Sequence, residues 1–309
     1  MKRIYLVTGI AGFIGSHIAE ELLKDVNNIV IGIDNFYSGY AKNIDVIDSK
    51  NLVFYEGNIA DDKILNKIFS THKIKYIFHQ AAVASVQKSI DDPILSNQVN
   101  VRGTLKLLNF ARLYQVKRLV FASSAALYGD EPSLPKNEQS IIQPISPYGY
   151  EKLMSEQYMS LYFQFYSLET ISLRYFNVYG PRQDPSSEYS GVISIFNEKF
   201  SKNELPIIYG DGNNYRDFIH VEDIVKINIS AMLHPYNSQK RVFCCGTGVE
   251  NSINEIFDIF SKKYNKDWLP IYTKAREGDI VGSISDNSQM LNLLGNNQLI
   301  NFKDGILSL

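Results

Sequence analysis

The chain predicts the α/β class: a doubly wound parallel sheet followed by a smaller C-terminal domain. Three observations predict it. Short apolar runs rich in β-formers (3–8, 29–34, 52–56, 74–79, 116–123 and 170–176) are separated by stretches of helical periodicity, the pattern of parallel strands joined by crossover helices. The first run passes through three glycines straight into a helix. After residue 176 the alternation gives way to loops and short helices. The expected division is 1–176 for the sheet domain, with 217–246 returning to it, and mainly 177–309 for the second domain.

Ile4 to Thr8 is the first strand, and Gly9, Gly12 and Gly15 follow it at G-x-x-G-x-x-G spacing before a helical stretch. A strand, a glycine turn and a helix start together cradle a phosphate. Gly9 permits the turn, Gly12 lets the backbone approach a pyrophosphate, and Gly15 lets helix and strand pack closely. The second strand ends in Asp34, about 20 residues on, where a dinucleotide fold carries its acid. A carboxylate there accepts hydrogen bonds from a ribose diol and repels a 2′-phosphate. Asn35 follows rather than an arginine, so the expected cofactor is NAD, not NADP. The third strand leads to Asn58-Ile59, and the fourth ends in His79, read as a satisfied strand-end histidine, before Ala81 and Ala82. A long helical pattern from Leu95 to Tyr114 carries Asn100. The fifth strand delivers Ser123 and Ser124 at its C-terminal end, where ligands of doubly wound sheets bind. A second long helix starts near Ser146-Pro147 and runs to about residue 166. Both long helices are rich in leucine and aromatics on more than one face, so each is buried more than once. The chain ends Ile306-Leu307-Ser308-Leu309, inside what reads as the start of a helix, which predicts a short or trimmed C-terminus.

Composition removes several classes. The 309 residues are 45% hydrophobic and 21% charged, ordinary for a globular chain with a sizeable core. A net charge of −2 gives no basic footprint for nucleic acid. No apolar run reaches the roughly 18–20 residues of a membrane span. Lys2 and Arg3 precede an apolar stretch, but the glycines break it at once and no cleavage pattern follows, so it is not a secretion signal. The two cysteines, Cys244 and Cys245, are adjacent, too few for a disulfide framework and set in an apolar run. A reducing cytoplasm is the expected location, and no metal cluster is expected.

The chemistry converges on Ser124 with Tyr148 and Lys152. Residues four apart on a helix share a face, so the Lys152 ammonium is expected close to the Tyr148 phenol. A tyrosine, with an ordinary pKa of roughly 10, is no base at neutral pH. A neighbouring positive charge lowers that value by about 1–3 units. Ser124 shares the proton or holds a substrate hydroxyl, completing a set that moves protons on and off an alcohol oxygen.

With its glycine spacing and its Y-x-x-x-K pair, the chain resembles the short-chain dehydrogenase/reductase superfamily, in the extended branch of NAD-dependent epimerases and dehydratases. The resemblance covers nearly the whole chain and is nearest to UDP-hexose 4-epimerases, particularly those of N-acetylated sugars, through L173-R-Y-F-N-V-Y-G-P-R-Q-D-P185. It implies a Rossmann domain binding NAD through Gly9, Gly12, Phe13, Ile14, Gly15, Asp34, Asn35, Asn58, Ile59, Ala81, Ala82, Asn100, Ser123, Tyr148 and Lys152. Asn58 departs from the aspartate usual there. The resemblance implies a UDP-sugar held by Ser85, Ser124, Asn177, Gln183, Arg216, Arg276, Asp279 and Ser283, arginines suiting a diphosphate by their bidentate fork. It implies a homodimer through the 95–114 and 147–166 helices. Dehydratases and decarboxylases of this family carry acids just after the catalytic serine; Ala125 and Ala126 stand here, and epimerisation needs no further acid. The N-acetyl-preferring enzymes carry serines at those two positions. Ser283 occupies the position where a tyrosine excludes an N-acetyl group. The expectation is UDP-N-acetylglucosamine/UDP-N-acetylgalactosamine interconversion, with UDP-glucose/UDP-galactose as further substrates. The alternatives are a UDP-glucuronate 4-epimerase or another nucleotide-sugar oxidoreductase, with Lys88 or Arg182 meeting a carboxylate, and a non-catalytic NAD or nucleotide-sugar sensor.

Overall fold

The computed structural model describes residues 2–186, 191–233, 240–275, 282–295 and 298–309. Its strands are β1 (Arg3–Thr8), β2 (Asn28–Asp34), β3 (Leu52–Glu56), β4 (Tyr76–His79), β5 (Arg118–Ser124), β6 (Glu169–Tyr175), β7 (Asn177–Tyr179), β8 (Ile207–Tyr209), β9 (Tyr215–Arg216), β10 (Phe218–His220), β11 (Val242–Cys245), β12 (Asn251–Ser252), β13 (Ile271–Thr273) and β14 (Gly282–Ser283). The helices are α1 (Phe13–Leu23), α2 (Lys42–Asp45), α3 (Asp62–Thr71), α4 (Val86–Asp91), α5 (Pro93–Asn97), α6 (Thr104–Leu113), α7 (Pro147–Tyr166), α8 (Val192–Ser201), α9 (Val221–Leu233), α10 (Ile253–Lys263), α11 (Ser288–Leu294) and α12 (Phe302–Leu307).

The α/β expectation is met by a seven-stranded sheet in the order β11-β6-β5-β4-β1-β2-β3. The chain winds outward from β1 to β3, then crosses back to start β4 on the other side of β1. Thr8 and His79 are register partners in the parallel β1–β4 pair. The loops leaving these two strands therefore emerge side by side at the switch point, where open α/β sheets bind ligands.

The chain divides into two compact units. The first comprises 1–131, 141–174 and 225–243, and Leu6, Ile31, Ile77, Leu107 and Leu119 at its centre are fully buried. Each such side chain stabilises the fold by about 1.5–3 kcal/mol relative to exposure. The second comprises 132–140, 175–224 and 244–309, and its core is aromatic: Tyr179, Phe196, Phe200, Phe257 and Phe260. Asp217 in this unit is fully buried, and its carboxylate accepts from the main-chain N–H groups of Thr247, Gly248 and Ser285 and from the hydroxyls of Thr247 and Ser285. One carboxylate thereby gathers three separate segments of chain.

The helix expected over 95–114 is in fact three pieces. Asp92 accepts from Leu95 N–H and Pro93 opens α5, after which residues Gln98–Gly103 form a π-helical turn before α6. Inside that turn the Asn100 carbonyl accepts the Thr104 hydroxyl at 2.6 Å and the Ser155 hydroxyl at 2.9 Å. Side-chain donors that compete for a helical carbonyl bend or break the ladder there.

Helix α7 starts where the sequence placed it, with Ser146 accepting from Gly149 N–H and Pro147 at the first helical position, and it stops at Ser167 in the left-handed region. Its faces are inverted. The buried stripe carries Glu151, Lys152, Ser155 and Glu156, while Tyr150, Met154, Leu161 and Phe165 are exposed, Phe165 to 73%.

Candidate active site

Ser124 ends β5 and caps a 3-10 turn, Ala125–Tyr128, its Oγ accepting from Ala126 N–H at 3.1 Å. That bond leaves the hydroxyl proton free, and Ser124 favours ionisation of the neighbouring Tyr148 phenol. Two features of α7 bring the ring there. The Ser89 hydroxyl accepts from Tyr148 N–H at 3.1 Å, fixing the first turn. Gly149 lets the helix close on the turn after Ser124, since a Cβ would sit 2.8 Å from the Ala126 carbonyl oxygen.

Lys152, one turn on, is 4% exposed, and its ammonium donates to the Ala122 carbonyl of β5 at 2.7 Å. It stands 5.6 Å from the Tyr148 ring centroid. Burial pulls this ammonium down to about 8, the Glu151 carboxylate opposing. Burial also pushes the Tyr148 phenol up to about 12; the Ser124 bond pulls the other way and Glu151 adds to the rise. The expected lowering of the phenol by Lys152 is therefore not met by the protein alone. Desolvation of the phenolate outweighs an ammonium that is itself desolvated and tied to a carbonyl.

Beneath these groups lies a directed chain of hydrogen bonds. Ala81 N–H donates to the Thr8 hydroxyl, whose Oγ1 lies 2.8 Å from His79 Nδ1; His79 Nε2 lies 2.8 Å from Thr104 Oγ1, and Thr104 donates on to the Asn100 carbonyl. Because Thr104 gives its proton to Asn100, it accepts from Nε2, so His79 carries its proton on Nε2 and accepts from Thr8 at Nδ1. Burial, aided by Lys152, drives its pKa down to about 3, and the ring is neutral. The reading of His79 as a satisfied strand-end histidine holds.

The glycine loop fits a dinucleotide. Gly15 packs so tightly on the loop that a Cβ would lie 2.1 Å from the Gly9 carbonyl oxygen. Gly12 occupies the N-cap of α1 and offers no side-chain cap, so the first-turn N–H groups around Phe13, Ile14 and Gly15 suit a pyrophosphate. At the loop's edge Asp34 accepts from Ala11 N–H at 2.9 Å and Phe36 N–H at 2.8 Å, which orients both carboxylate oxygens. Burial nevertheless raises its pKa. The exposed Asn35 follows and accepts from Tyr37 N–H. Ala81 and Ala82, half-buried, line the loop after β4.

Several expected contact residues have other partners. Ile59 packs into the core against Gly103, and Asn58 folds its own loop by accepting from Ala60 N–H. The Asn100 amide is held within the protein, donating to the Val83 carbonyl and to Glu151 while accepting from Val83 N–H. Ser123 donates to Glu156, which also forms a buried two-bond pair with Arg174. Ser85 caps α4 by accepting from Lys88 N–H. Glu156 was missed in the sequence, although it lies on the stripe of Tyr148 and Lys152, at the next interval of four.

In the second unit Asn177, Gln183 and Arg216 line one cavity of about 370 Å³ with Ile193, Ile208 and Phe218. Gln183 donates from Nε2 to the Val178 carbonyl, and its Oε1 is buried without a partner among the described residues, an acceptor ready for a ligand. The Asn177 amide donates to the Asp217 carbonyl, and Arg216 donates to the Tyr215 carbonyl. Ser283 is the register partner of Arg216 in the β14–β9 pair. Arg276 and Asp279 lie outside the described residues.

Comparison with known proteins agrees with this geometry. A provisionally named UDP-glucose 4-epimerase of Methanocaldococcus jannaschii is 40% identical over 302 residues, covering 97% of this chain and 95% of the relative. The crystal structure of UDP-glucose 4-epimerase from Thermotoga maritima with UDP-glucose superposes with a TM-score of 0.92 at 38% identity, over 98% of this chain and 96% of that one. UDP-N-acetylglucosamine 4-epimerase from Methanobrevibacter ruminantium M1, in complex with UDP-N-acetylmuramic acid, gives a TM-score of 0.92 at 37% identity, over 99% and 96%. The sequence model of the NAD dependent epimerase/dehydratase family matches residues 5–246, the span that carries the glycine loop, Asp34, Ser124, Tyr148 and Lys152, and the chain belongs to that family.

Proposed function

We propose that the chain is an isomerase, a UDP-hexose 4-epimerase that interconverts UDP-N-acetylglucosamine and UDP-N-acetylgalactosamine and also turns over UDP-glucose and UDP-galactose. The observation that carries the reading is the convergence of Tyr148 and Lys152 of α7 on Ser124 at the end of β5, with Ala125 and Ala126 directly behind that serine. The set can take a proton from a secondary alcohol and return it, and neither alanine can serve the further acid–base step of an elimination. That solved relatives include epimerases of UDP-glucose and of UDP-N-acetylglucosamine supports the same reading.

In this reading Tyr148, as phenolate, removes the proton from the sugar 4-hydroxyl, and Ser124 holds that oxygen by its own hydroxyl. NAD, when bound, supplies a hydride acceptor and then donor for C4, and a positive ring whose charge favours the phenolate. Gly9, Gly12, Phe13, Ile14 and Gly15 would hold its pyrophosphate, Asp34 and Asn35 a ribose, and Ala81, Ala82 and Lys152 the nicotinamide end. The proton that Tyr148 takes it gives back to the same oxygen in the opposite configuration, and because the hydride removed from C4 would return to C4, the reaction needs no external reductant. The first unit thus binds the cofactor, and the cavity of the second takes the nucleotide through Asn177, Gln183 and Arg216; Arg276 and Asp279, outside the described residues, are proposed as further contacts of the same substrate. Binding energy collected on the nucleotide leaves the sugar free to turn over between the two hydride transfers. A small side chain at Ser283 leaves room for an N-acetyl group.

The apolar outer stripe of α7 supports a homodimer in which two such stripes cover each other. The two buried cysteines form no disulfide among the described residues, which suits a reducing cytoplasm, and among the described residues no helix is long and apolar enough to cross a membrane. Incubation with UDP-N-acetylglucosamine and no added reductant, read by NMR of the anomeric protons, should give UDP-N-acetylgalactosamine. A panel of UDP-glucose, UDP-galactose and UDP-glucuronate run alongside ranks the sugars; conversion of none would overturn the reading.

A further inference from the structure

Glu151 is 2% exposed and lies between Tyr148 and Lys152 on α7, yet proton exchange does not require it. A buried carboxylate is costly unless its oxygens are bonded. Here one oxygen, Oε2, accepts the Ser96 hydroxyl at 2.6 Å and the Asn100 amide at 2.7 Å. Ser96 is the penultimate residue of α5, and Asn100 sits in the π-helical turn that follows. The second Asn100 amide hydrogen goes to the Val83 carbonyl at 3.0 Å, and the amide oxygen accepts from Val83 N–H at 2.8 Å. Val83 directly follows Ala81 and Ala82, at the switch point of the sheet. The carboxylate accepts only, so it admits one orientation of the Asn100 amide, the one that clamps Val83.

We propose that Glu151 is a positioning residue for the epimerase reaction, joining the catalytic turn of α7 through Ser96 and Asn100 to the loop after β4 and setting a negative charge beside Tyr148 and Lys152. The titratable groups around it are Tyr148 and Lys152 on its own helix and, behind Lys152, the neutral His79 of β4. Among the described residues it accepts from α5 and the π turn the Ser96 hydroxyl and the Asn100 amide, and from α4 the Ser89 hydroxyl holds the Tyr148 main chain. Its charge has opposite consequences for its neighbours: it keeps Lys152 an ammonium and resists ionisation of the phenol. Substrate turnover therefore depends on Glu151 twice, once by geometry and once by charge.

The inference rests on the proposed function, and its test separates the two. Glu151→Gln retains an oxygen that accepts both bonds and removes only the charge. Ultraviolet difference titration of Glu151→Gln against Glu151→Gln/Tyr148→Phe, compared with wild type against Tyr148→Phe, reads the phenol without turnover. The phenol midpoint should move down by roughly half to one pH unit, and the acid limb of kcat should move with it at unchanged KM. Glu151→Ala removes the bonds as well, and kcat should fall about tenfold or more with KM for the nucleotide sugar unchanged. Should that variant not fold, Ser96→Ala removes one of the two donors and should lower kcat by about twofold to fivefold. A titration and acid limb superposable on wild type, or full kcat in the alanine variant (or in Ser96→Ala where it is the one tested), would overturn the proposal. Absence of any turnover in the wild type would instead overturn the proposed function, with the titration still deciding the role of Glu151.

Discussion

Lys152 Nζ donates to the Ala122 carbonyl at 2.7 Å while standing 5.6 Å from the ring of Tyr148, so the ammonium is anchored by β5 and not by the phenol it faces. It also lies 4.8 Å from the centroid of Phe121. The sheet therefore fixes the charge, and α7 fixes the ring. The two desolvated groups meet with neither at its ordinary pKa, and a further positive charge arriving at the switch point would tip the phenol toward its ionised form.

Tyr148→Phe should reduce kcat for UDP-hexose inversion by about 10²- to 10⁴-fold, the usual contribution of a positioned acid–base group. The ring still packs in place, so UDP affinity measured by calorimetry should stay within about twofold of wild type. Undiminished turnover in this variant would remove the phenol from the mechanism.

Lys152→Met should abolish most activity and yet stabilise the protein at pH 7. The native ammonium has its pKa pulled from 10.5 to about 8, so between those values the unfolded chain binds more protons and stability rises with pH. Below about pH 8 both states are protonated, and the native state carries the full cost of a buried charge. Removing that charge should gain roughly 1–2 kcal/mol after allowing for the Ala122 carbonyl left bare. The advantage should shrink as pH rises from 8 toward 10.5. Thermal melts of both proteins without cofactor, at pH 7 and pH 10, check the sign.

Ser283→Tyr should discriminate between sugars. The side chain is tied by register to Arg216, so a larger residue projects from a fixed strand and cannot move away as a loop residue would. Turnover of UDP-N-acetylglucosamine should fall about tenfold or more relative to UDP-glucose. Equal loss on both substrates would mean that Ser283 does not gate the sugar.

The sheet and the glycine loop were legible because short continuous apolar runs and a glycine at a positive-φ turn leave marks in the sequence. The Tyr148–Lys152 stripe was legible because helical spacing is regular. What escaped depends on long-range pairing. Nothing near Glu156 announces Arg174, and nothing near Asp217 announces Thr247 or Ser285. In the π turn the Asn100 carbonyl accepts from Thr104, four residues on, and from Ser155 of another helix, and no local pattern encodes the second of these. The phenol of Tyr148 was expected low and is high for the same reason: burial is a property of the fold, whereas the charged neighbour could be read from spacing.

Gly149→Ala sets local propensity against that long-range geometry. In a helix interior alanine is favoured over glycine by about 1 kcal/mol, and Gly149 is the third residue of α7, in its first turn. Here the new Cβ would meet the Ala126 carbonyl oxygen at 2.8 Å and the Pro144 side chain at 3.0 Å. Both the 3-10 turn and the start of α7 are pinned, one by Ser124 and the other by Ser146 and Ser89, so the strain falls on the contact between them. A separation of about half an ångström would move the phenol away from Ser124, and proton transfer depends steeply on such distances. The variant should therefore show a melting temperature close to wild type, since strain offsets propensity, and a kcat lowered about tenfold with KM for UDP-hexose unchanged. A kcat equal to wild type would mean that the turn after Ser124 yields freely, and that the glycine is not what brings the phenol to the serine.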